Sequence, residues 1–572
     1  MMLSPALPND LDDPLYYLVN GRRVIAWVLD RHGDLLTSGE RGRLAAFTDL
    51  PWPSQALLLR MVMRTHDHFR LASLVYPELG EPLADALAPL VAGAWVDPAP
   101  ALSPDELCRL LRRDELFAAC AAEAARAGLG QRASKAALRA VLAERHGGRA
   151  LPLAAWWPAC PDGVVALAEA ALFQRVRLMF FGNLRQDFSE FVITALGHQS
   201  YEPVALSRES RAFQTRGQVD LYLALHACRE QLEAGADLEA LWRQVPEGDD
   251  TNPWLAHRRA RLLFALGRQA ERAGQGDLAL AAYGAAGTGE ARVRYFRVRE
   301  RQLGGSPGDA GALWSELTAA HREAGSDGER QSIARILKRV ARACGEVPPA
   351  APRIPAIATE RRVLSRDPDL SVERQLAAAL EDDQTRCFYV ENGLFNGLLG
   401  ILCWPALYAP LPGAFFHPFQ AGPADLYRED FVSRRQSLLD DCLASLDTGD
   451  YRRRILHHWR SRRGIACPLV AWPVLTEVLV KLALDCIPAP HLKGIFARLL
   501  ADLAGHRSGL PDLIRFWPGG VQGEPRYELI EVKGPGDRLQ DHQRAWLGFF
   551  VEQGIPARVC HVDWAPVGEG AA

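Results

Sequence analysis

The sequence predicts a mostly α-helical, multidomain chain that closes in a C-terminal α/β domain. Its 572 residues exceed what one hydrophobic core supports, so several domains are expected. Residues 155–345 run as one helix-periodic segment after another. Near the C-terminus the pattern changes. Residues 513–517 and 527–532 are short apolar and aromatic runs separated by a Gly/Pro-rich stretch, and residues 557–562 form another such run after a helix-spaced segment. Together these runs predict a mixed sheet flanked by helices.

Composition sets the outer limits. A hydrophobic content of 48% and a charged content of 24% describe an ordinary globular chain. The formal net charge of −3 excludes a polycation, so any nucleic-acid contact has to come from local basic patches. The eleven cysteines are scattered, without Cys-x-x-Cys or zinc-ligand spacing, as reduced buried thiols are. Residues 1–13 carry prolines and acids but neither the basic nor the apolar region of a secretory leader, and no stretch is apolar enough to span a bilayer. The expectation is a soluble, cytoplasmic protein with no membrane partner.

Taken in order, residues 1–98 make an N-terminal domain, with a short strand expected at 24–28 and helices at 56–65 and 83–92. Pro98-Ala99-Pro100 then breaks the chain. Residues 99–150 form a separate helical element. Ser103, Pro104 and Glu106 are placed as N-cap, N1 and N3 of a helix, and a second helix over 135–146 stops at Gly147-Gly148. Residues 151–345 read as an irregular helical repeat domain. Leu266-Gly267, Ala279, Tyr283 and Ala286 match the small and large positions of a tetratricopeptide unit, with Gln275-Gly276-Asp277 as the turn. The arginines around it, from Arg258 to Arg299, suit either a DNA-facing groove or a solvated helix face, and the solvated face is the simpler account. Residues 346–370 are a Pro-rich linker, and 371–572 form the C-terminal domain.

The C-terminal hairpin carries the chemistry. Pairing the two runs sets Asp512, at the start of one strand, near Glu531, at the end of the other. Lys533 lies two residues on and therefore on the same face. Two carboxylates and an ammonium suit a divalent cation, with the carboxylates as hard oxygen ligands and the lysine holding water or a phosphate oxygen. Lysine is scarce here, only five among 66 Lys+Arg residues, so its use at 533 suggests chemistry that a guanidinium cannot perform.

These residues resemble a known nuclease family. Pro511-Asp512 followed by Glu531-Val532-Lys533 matches the PD-(D/E)XK (restriction-endonuclease-like) signature. The longer string Gly509-Leu510-Pro511-Asp512-Leu513, then Glu531 to Leu539 with Gln543 beyond, is similar to the VRR-NUC branch and within it to the Fanconi-associated nucleases, as a bacterial member. The resemblance implies a metal-binding glutamate in a helix over 390–400, and Glu391 is the one acid in that apolar segment. Glu391, Asp512 and Glu531, with the main-chain carbonyl of Val532, are then the expected ligands of Mg2+ or Mn2+, and Lys533 the catalytic cation. Three carboxylates without histidine favour such a hard ion over zinc. By the same resemblance the helices at 103–146 correspond either to a SAP-type element, though with a longer connection than that motif has, or to a plain helical hairpin, and the C-terminal domain is a VRR-NUC nuclease domain.

Expected DNA contacts fall in two places. Arg507, Arg538, His542 and Gln543 surround the hairpin, with Asp537 placed as N-cap of the helix that carries Gln543. Within the insertion at 404–484, the run from Arg452 to Arg463 is the densest basic cluster. As a helix it turns Ile455, Leu456 and Trp459 inward and Arg453, His457 and Arg460 outward, with Arg452 beside them. The family likeness implies a structure-specific 5′-flap endonuclease with 5′→3′ exonuclease activity. It would act on branched or flapped double-stranded DNA in interstrand cross-link repair, near the nucleoid. Two other classes fit part of the sequence: a Holliday-junction-type resolvase, and a helical-repeat scaffold with a vestigial nuclease fold.

Overall fold

A computed structural model of the chain describes residues 14–80, 82–186, 200–249, 251–303, 307–348, 356–520 and 526–565. The chain divides into two compact units. The first holds residues up to 199 with 207–209 and 213–219, and the second holds the remainder.

In the first unit, α1 (Tyr16–His32), α2 (Ser38–Phe47), α3 (Trp52–Val62) and α4 (Leu83–Ala92) pack together. The strand expected at 24–28 is instead part of α1. Val24, Ile25 and Val28 are buried at helical spacing with Tyr17, so burial along one face overrides the β-branched run. Strands β1 (His68–Arg70) and β2 (Val96–Asp97) flank a strand that the sequence did not suggest, Val164–Leu167, within the stretch expected to be wholly helical. All four of its residues are buried, and a run this short carries no periodicity to distinguish strand from helix. Between β2 and this strand, β3 (Ala101–Leu102) pairs with β4 (Leu151–Pro152), which makes Val164–Leu167 β5. The pair β3–β4 brackets α5 (Pro104–Leu110) and α6 (Lys135–His146). The Ser103–Glu106 capping box forms on both sides, and α6 ends at Gly147 as expected. The long connection between α5 and α6 itself folds into two short helices, Arg113–Ala119 and Ala121–Arg126.

In the second unit, α7 (Pro253–Arg272) and α8 (Gly276–Ala286) form the tetratricopeptide-like pair. They approach so closely at Gly267 that a Cβ there would lie 2.7 Å from the Tyr283 ring. Tyr283 fills the groove and donates its hydroxyl to Glu271 at 2.7 Å. Most arginines of this region serve structure: Arg258 lies over Tyr222, Arg292 pairs with Glu329, and Arg299 with Glu316.

The C-terminal sheet has five strands in the order β6-β10-β9-β8-β7. Its strands are β6 (Ala358–Leu364), β7 (Arg386–Tyr389), β8 (Leu513–Phe516), β9 (Tyr527–Lys533) and β10 (Ala557–Trp564). Strands β7–β8–β9 are antiparallel, while β10 runs parallel to both β9 and β6. Strand β6 lies inside the stretch expected to be a linker, where its exposed, alternating residues give no core-like signal. One sheet face packs Ile530, Val532, Leu513 and Cys560 against α9 (Val372–Leu380). The other packs Ile514, Tyr527, Leu529 and Val559 into a larger helical layer. That layer includes α10 (Gly393–Leu402), α11 (Tyr451–Ser461) and α12 (Asp541–Glu552). Alternation along β9 therefore sends Glu531 and Lys533 toward this helical layer.

Gly267→Ala tests the close approach of α7 to α8. Alanine gains about 1 kcal/mol of helix propensity over glycine. Overpacking against a buried ring costs about 1–3 kcal/mol and should win. The substituted protein should unfold at lower urea concentration than wild type, measured by tryptophan fluorescence.

Candidate active site

The hairpin register builds the site. Leu513 faces Ile530 and Phe516 faces Tyr527, so Asp512, just before β8, comes level with the end of β9. Its Oδ2 accepts the Val532 N–H at 2.8 Å. The Glu531 side chain has no exposed surface, and its Oε1 accepts from Lys533 Nζ at 2.8 Å and from Gln543 Nε2 at 2.6 Å. Gln543 is held in turn, because its Oε1 accepts the Gln540 N–H at 2.9 Å in the capping box that opens α12. Gln540 is thus the cap expected at Asp537. The Asp537 carboxylate instead accepts the Gly534 N–H at 3.1 Å, closing the Gly534-Pro535-Gly536 turn, and the helix starts four residues later.

Glu391 joins the site through the backbone. The N–H groups of Val390 and Glu391 both donate to the Asp512 carbonyl, at 2.8 and 3.0 Å. Glu391 is not inside a helix, as expected from the sequence, but in the turn before α10, at φ +30°. The chain must swing there from β7 into a helix whose residues from Leu394 to Leu402 are all buried. Tyr389 donates its hydroxyl to Glu391 Oε2 at 2.5 Å, and Asn392 Nδ2 lies 3.3 Å from Oε1. Asn392 Oδ1 accepts the Leu510 N–H, and Asn396 Nδ2 donates to the Arg507 carbonyl at 2.8 Å. These amides fasten α10 to the segment that enters β8.

The electrostatics are those of a buried acidic site. Burial pushes the Asp512 carboxyl up to about 6, against the Val532 N–H and with help from the Glu373 charge. Burial and then the Asp512 charge raise Glu531 to about 7, against Lys533. Glu531 Oε2 is buried and lacks a hydrogen-bond partner among the described residues. A buried carboxylate oxygen left in that state is costly, and a hard cation would satisfy it. Among the described residues no three His, Cys, Asp or Glu side chains already close around one point. Asp512 and Glu531 meet at Lys533, with Glu391 tied alongside. Glu373, in the first turn of α9, and Tyr389 escaped the sequence reading. Each lies in a segment that carries no motif, although Tyr389 stands only two residues before the lone acid of its stretch.

The remaining expected contacts lie apart from this center or at its edge. Arg507 is exposed, with its guanidinium 4.5 Å from the Tyr427 ring centroid. His542 packs on Gly509, whose φ of +87° and close approach leave no room for a side chain. Arg538 is exposed on the turn after β9. On α11, Ile455 and Trp459 are buried as expected and Tyr451 joins them, while Leu456 is half-buried. Leu456 lines an open hollow of about 690 Å³ with Arg453, His457, Arg460 and Ser461. Arg453 pairs with Asp450 at 2.8 Å, and Arg452 sits against Tyr451. The His458 ring, 2.8 Å from the Ile401 carbonyl, anchors α11 to α10.

Asp512→Asn should separate stability from chemistry. A carboxyl raised in the fold costs nothing below its unfolded value of 3.8, and its cost grows with pH up to about 6 and persists above. Without divalent ions, Asp512→Asn should therefore melt several degrees above wild type at about pH 7.5, and the gain should shrink at about pH 4.5. Differential scanning fluorimetry in chelator measures both.

Three family models match this chain: the FAN1 HTH domain at residues 15–97, the Fanconi anemia-associated nuclease SAP domain at 101–156, and the VRR-NUC domain at 447–564. A Fanconi-associated nuclease 1 homolog of Pseudomonas aeruginosa is 43% identical over 568 residues, covering 98% of this chain and 97% of that one. Human Fanconi-associated nuclease 1 is 32% identical over 177 residues, 30% of this chain and 17% of its own. A crystal structure of paFAN1 bound to 2nt 5′ flap DNA with gap matches with a TM-score of 0.82 at 42% identity, covering 99% of this chain and 100% of that one. A protein alike over its whole length, with the Asp512, Glu531 and Lys533 constellation assembled in its sheet, leaves one assignment: the chain belongs to the Fanconi-associated nuclease family.

Proposed function

We propose that this protein is a structure-specific nuclease that hydrolyses a phosphodiester at flapped branch points in DNA, with Glu391, Asp512, Glu531 and Lys533 as its active site. The observation that carries the proposal is Glu531, fully buried beside Lys533 with one oxygen lacking a partner among the described residues, in a chain similar end to end to a protein bound to 5′ flap DNA. That similarity also supports 5′-flap polarity, and with it we propose 5′→3′ exonuclease activity and a place in interstrand cross-link repair, in the cytoplasm at the nucleoid. Among the described residues no helix is long and apolar enough to cross a membrane.

A VRR-NUC nuclease works with a divalent metal, and the all-oxygen donor set of Glu391, Asp512, Glu531 and the Val532 carbonyl suits Mg2+ or Mn2+. When bound, such an ion acidifies water and offsets the charge that builds on the scissile phosphate. The chain supplies the rest. Gln543 and the Val532 N–H fix the Glu531 and Asp512 carboxylates. Lys533 places an ammonium where phosphate charge develops and stabilises it there. The exposed Arg452, Arg453, His457 and Arg460 of α11, with Arg507, Arg538 and His542 nearer the hairpin, are the groups offered to phosphates of the bound duplex.

Incubation with labelled 5′ flap, 3′ flap, nicked, single-stranded and four-way-junction DNA, with Mg2+, Mn2+ or chelator, tests this function. The 5′ flap should be cut fastest, only with divalent ions, and not by Asp512→Ala or Glu531→Ala. Preference for the junction would make it a resolvase, and no cleavage of any substrate would make it a scaffold. Lys533→Arg tests the chemistry more finely. It should bind flap DNA and metal nearly normally but lose about a hundredfold or more in single-turnover cleavage, the scale of losing one preorganised group. Cleavage within severalfold of wild type would reduce Lys533 to a supplier of charge.

A further inference from the structure

We infer that Tyr389 is a positioning residue of the metal site: its hydroxyl fixes the Glu391 carboxylate so that one oxygen is held and the other is presented to the divalent cation. The inference rests on Glu391 as a ligand, as proposed above.

The argument starts from how unequally the three carboxylates are held. Asp512 is locked by the Val532 N–H, and Glu531 is enclosed by Lys533 and Gln543. Glu391 is exposed, and an exposed glutamate side chain loses rotamer freedom on ordering, so it needs a restraint. Its backbone is strongly restrained. A non-glycine residue at φ +30° persists only where its surroundings over-determine it, and here two N–H groups converge on the Asp512 carbonyl. That restraint fixes the Cα of Glu391 beside Asp512 and leaves the carboxylate to its own partners.

Two partners exist among the described residues. Asn392 Nδ2 is 3.3 Å from Oε1, a long contact from a neutral amide. Tyr389 Oη is 2.5 Å from Oε2, a short hydrogen bond to a charged acceptor, which is the stronger kind. Tyr389 is well placed to hold a fixed point. It ends β7 and pairs with Leu513, the residue after Asp512, so phenol and carboxylates hang from the same strand pair. Tyr389 is 40% exposed, and its hydroxyl has no other hydrogen-bond partner among the described residues. One O–H occupies one carboxylate oxygen. Oε1, after release of the weaker Asn392 contact, is thereby the freer oxygen for a cation. Groups that hydrogen-bond a ligating carboxylate orient it and tune its affinity in this way.

Tyr389→Phe keeps the ring and removes the O–H, and at an exposed site it leaves no buried polar group unpaired. Mn2+ binding to the full chain, without DNA, is read from the electron paramagnetic resonance of free Mn2+ for wild type, Tyr389→Phe and Glu391→Gln. Tyr389→Phe should weaken Mn2+ binding by about ten- to a hundredfold and Glu391→Gln at least as much, with the melting temperature in chelator unchanged for Tyr389→Phe. In single-turnover flap cleavage, Tyr389→Phe should shift the Mn2+ midpoint upward yet approach the wild-type rate at saturation, which a merely structural lesion would not allow. Wild-type or tighter Mn2+ binding by Tyr389→Phe, while Glu391→Gln binds weakly, overturns this inference and leaves the site standing. A reduced plateau with an unmoved midpoint also overturns it, making Tyr389 a substrate contact. Unchanged binding in both variants removes Glu391 from the metal site, and this inference with it.

Discussion

Glu531 has no exposed surface, and one of its oxygens has no partner among the described residues. A carboxylate in that position raises the free energy of the fold, and Lys533 and Gln543 offset only part of the cost because both donate to the same oxygen. The site is therefore built short of positive charge. Burial and the Asp512 charge hold the Glu531 carboxyl up at about 7, against Lys533. Around this deficit the other features of the C-terminal domain make sense as devices that keep the carboxylate from escaping to water.

The sheet is the first of these devices. Because Tyr527 and Leu529 are fixed in the larger core, alternation leaves Glu531 no choice of face. The helices form the second. α12 brings Gln543 down through a capping box, α10 is fastened to the Asp512 segment by Asn392 and Asn396, and His458 carries the connection on to α11. The basic face of α11 is thus rigidly referenced to the acidic site without touching it. On the proposed reading, a helix held this way sets where a duplex lies relative to the carboxylates, which is what cutting at a chosen position requires.

How much of this the sequence disclosed follows from how local each signal is. The Ser103 capping box, the end of α6 at Gly147, the fit of Gly267 to Tyr283 and the β8–β9 hairpin all depend on residues a few positions apart, and all are legible. The burial of Val24 to Val28 depends on partners far along the chain, so a strand-like run became helix. β5 and β6 gave no warning, the one too short and fully buried, the other exposed at a sheet edge. Glu391, proposed by likeness, was expected inside the helix and stands two residues before it, because nothing in Val390-Glu391-Asn392 announces a left-handed backbone at a residue other than glycine. Tyr389 was missed because its role exists only once β7 lies beside β8.

The scarcity of lysine pointed to Lys533, and the structure changes the reason for accepting it. Lys481 and Lys493 form exposed ion pairs with Glu477 and Asp447, where arginine would serve as well. Lys135 and Lys338 are exposed too. Lysine in this chain is not reserved for chemistry, so rarity alone says little. Lys533 differs in being the buried one, its ammonium 2.8 Å from a carboxylate oxygen that it shares with Gln543. A guanidinium is planar, longer and bonds in pairs, and Glu531 has only one oxygen free of these contacts, the one a cation needs. An arginine in that slot would be too long, planar and fixed in charge for the place the ammonium holds beside Glu531. On the proposed reading, the case for lysine at 533 thus lies in the shape and hydrogen bonding of the folded pocket, a property that no count of residues contains.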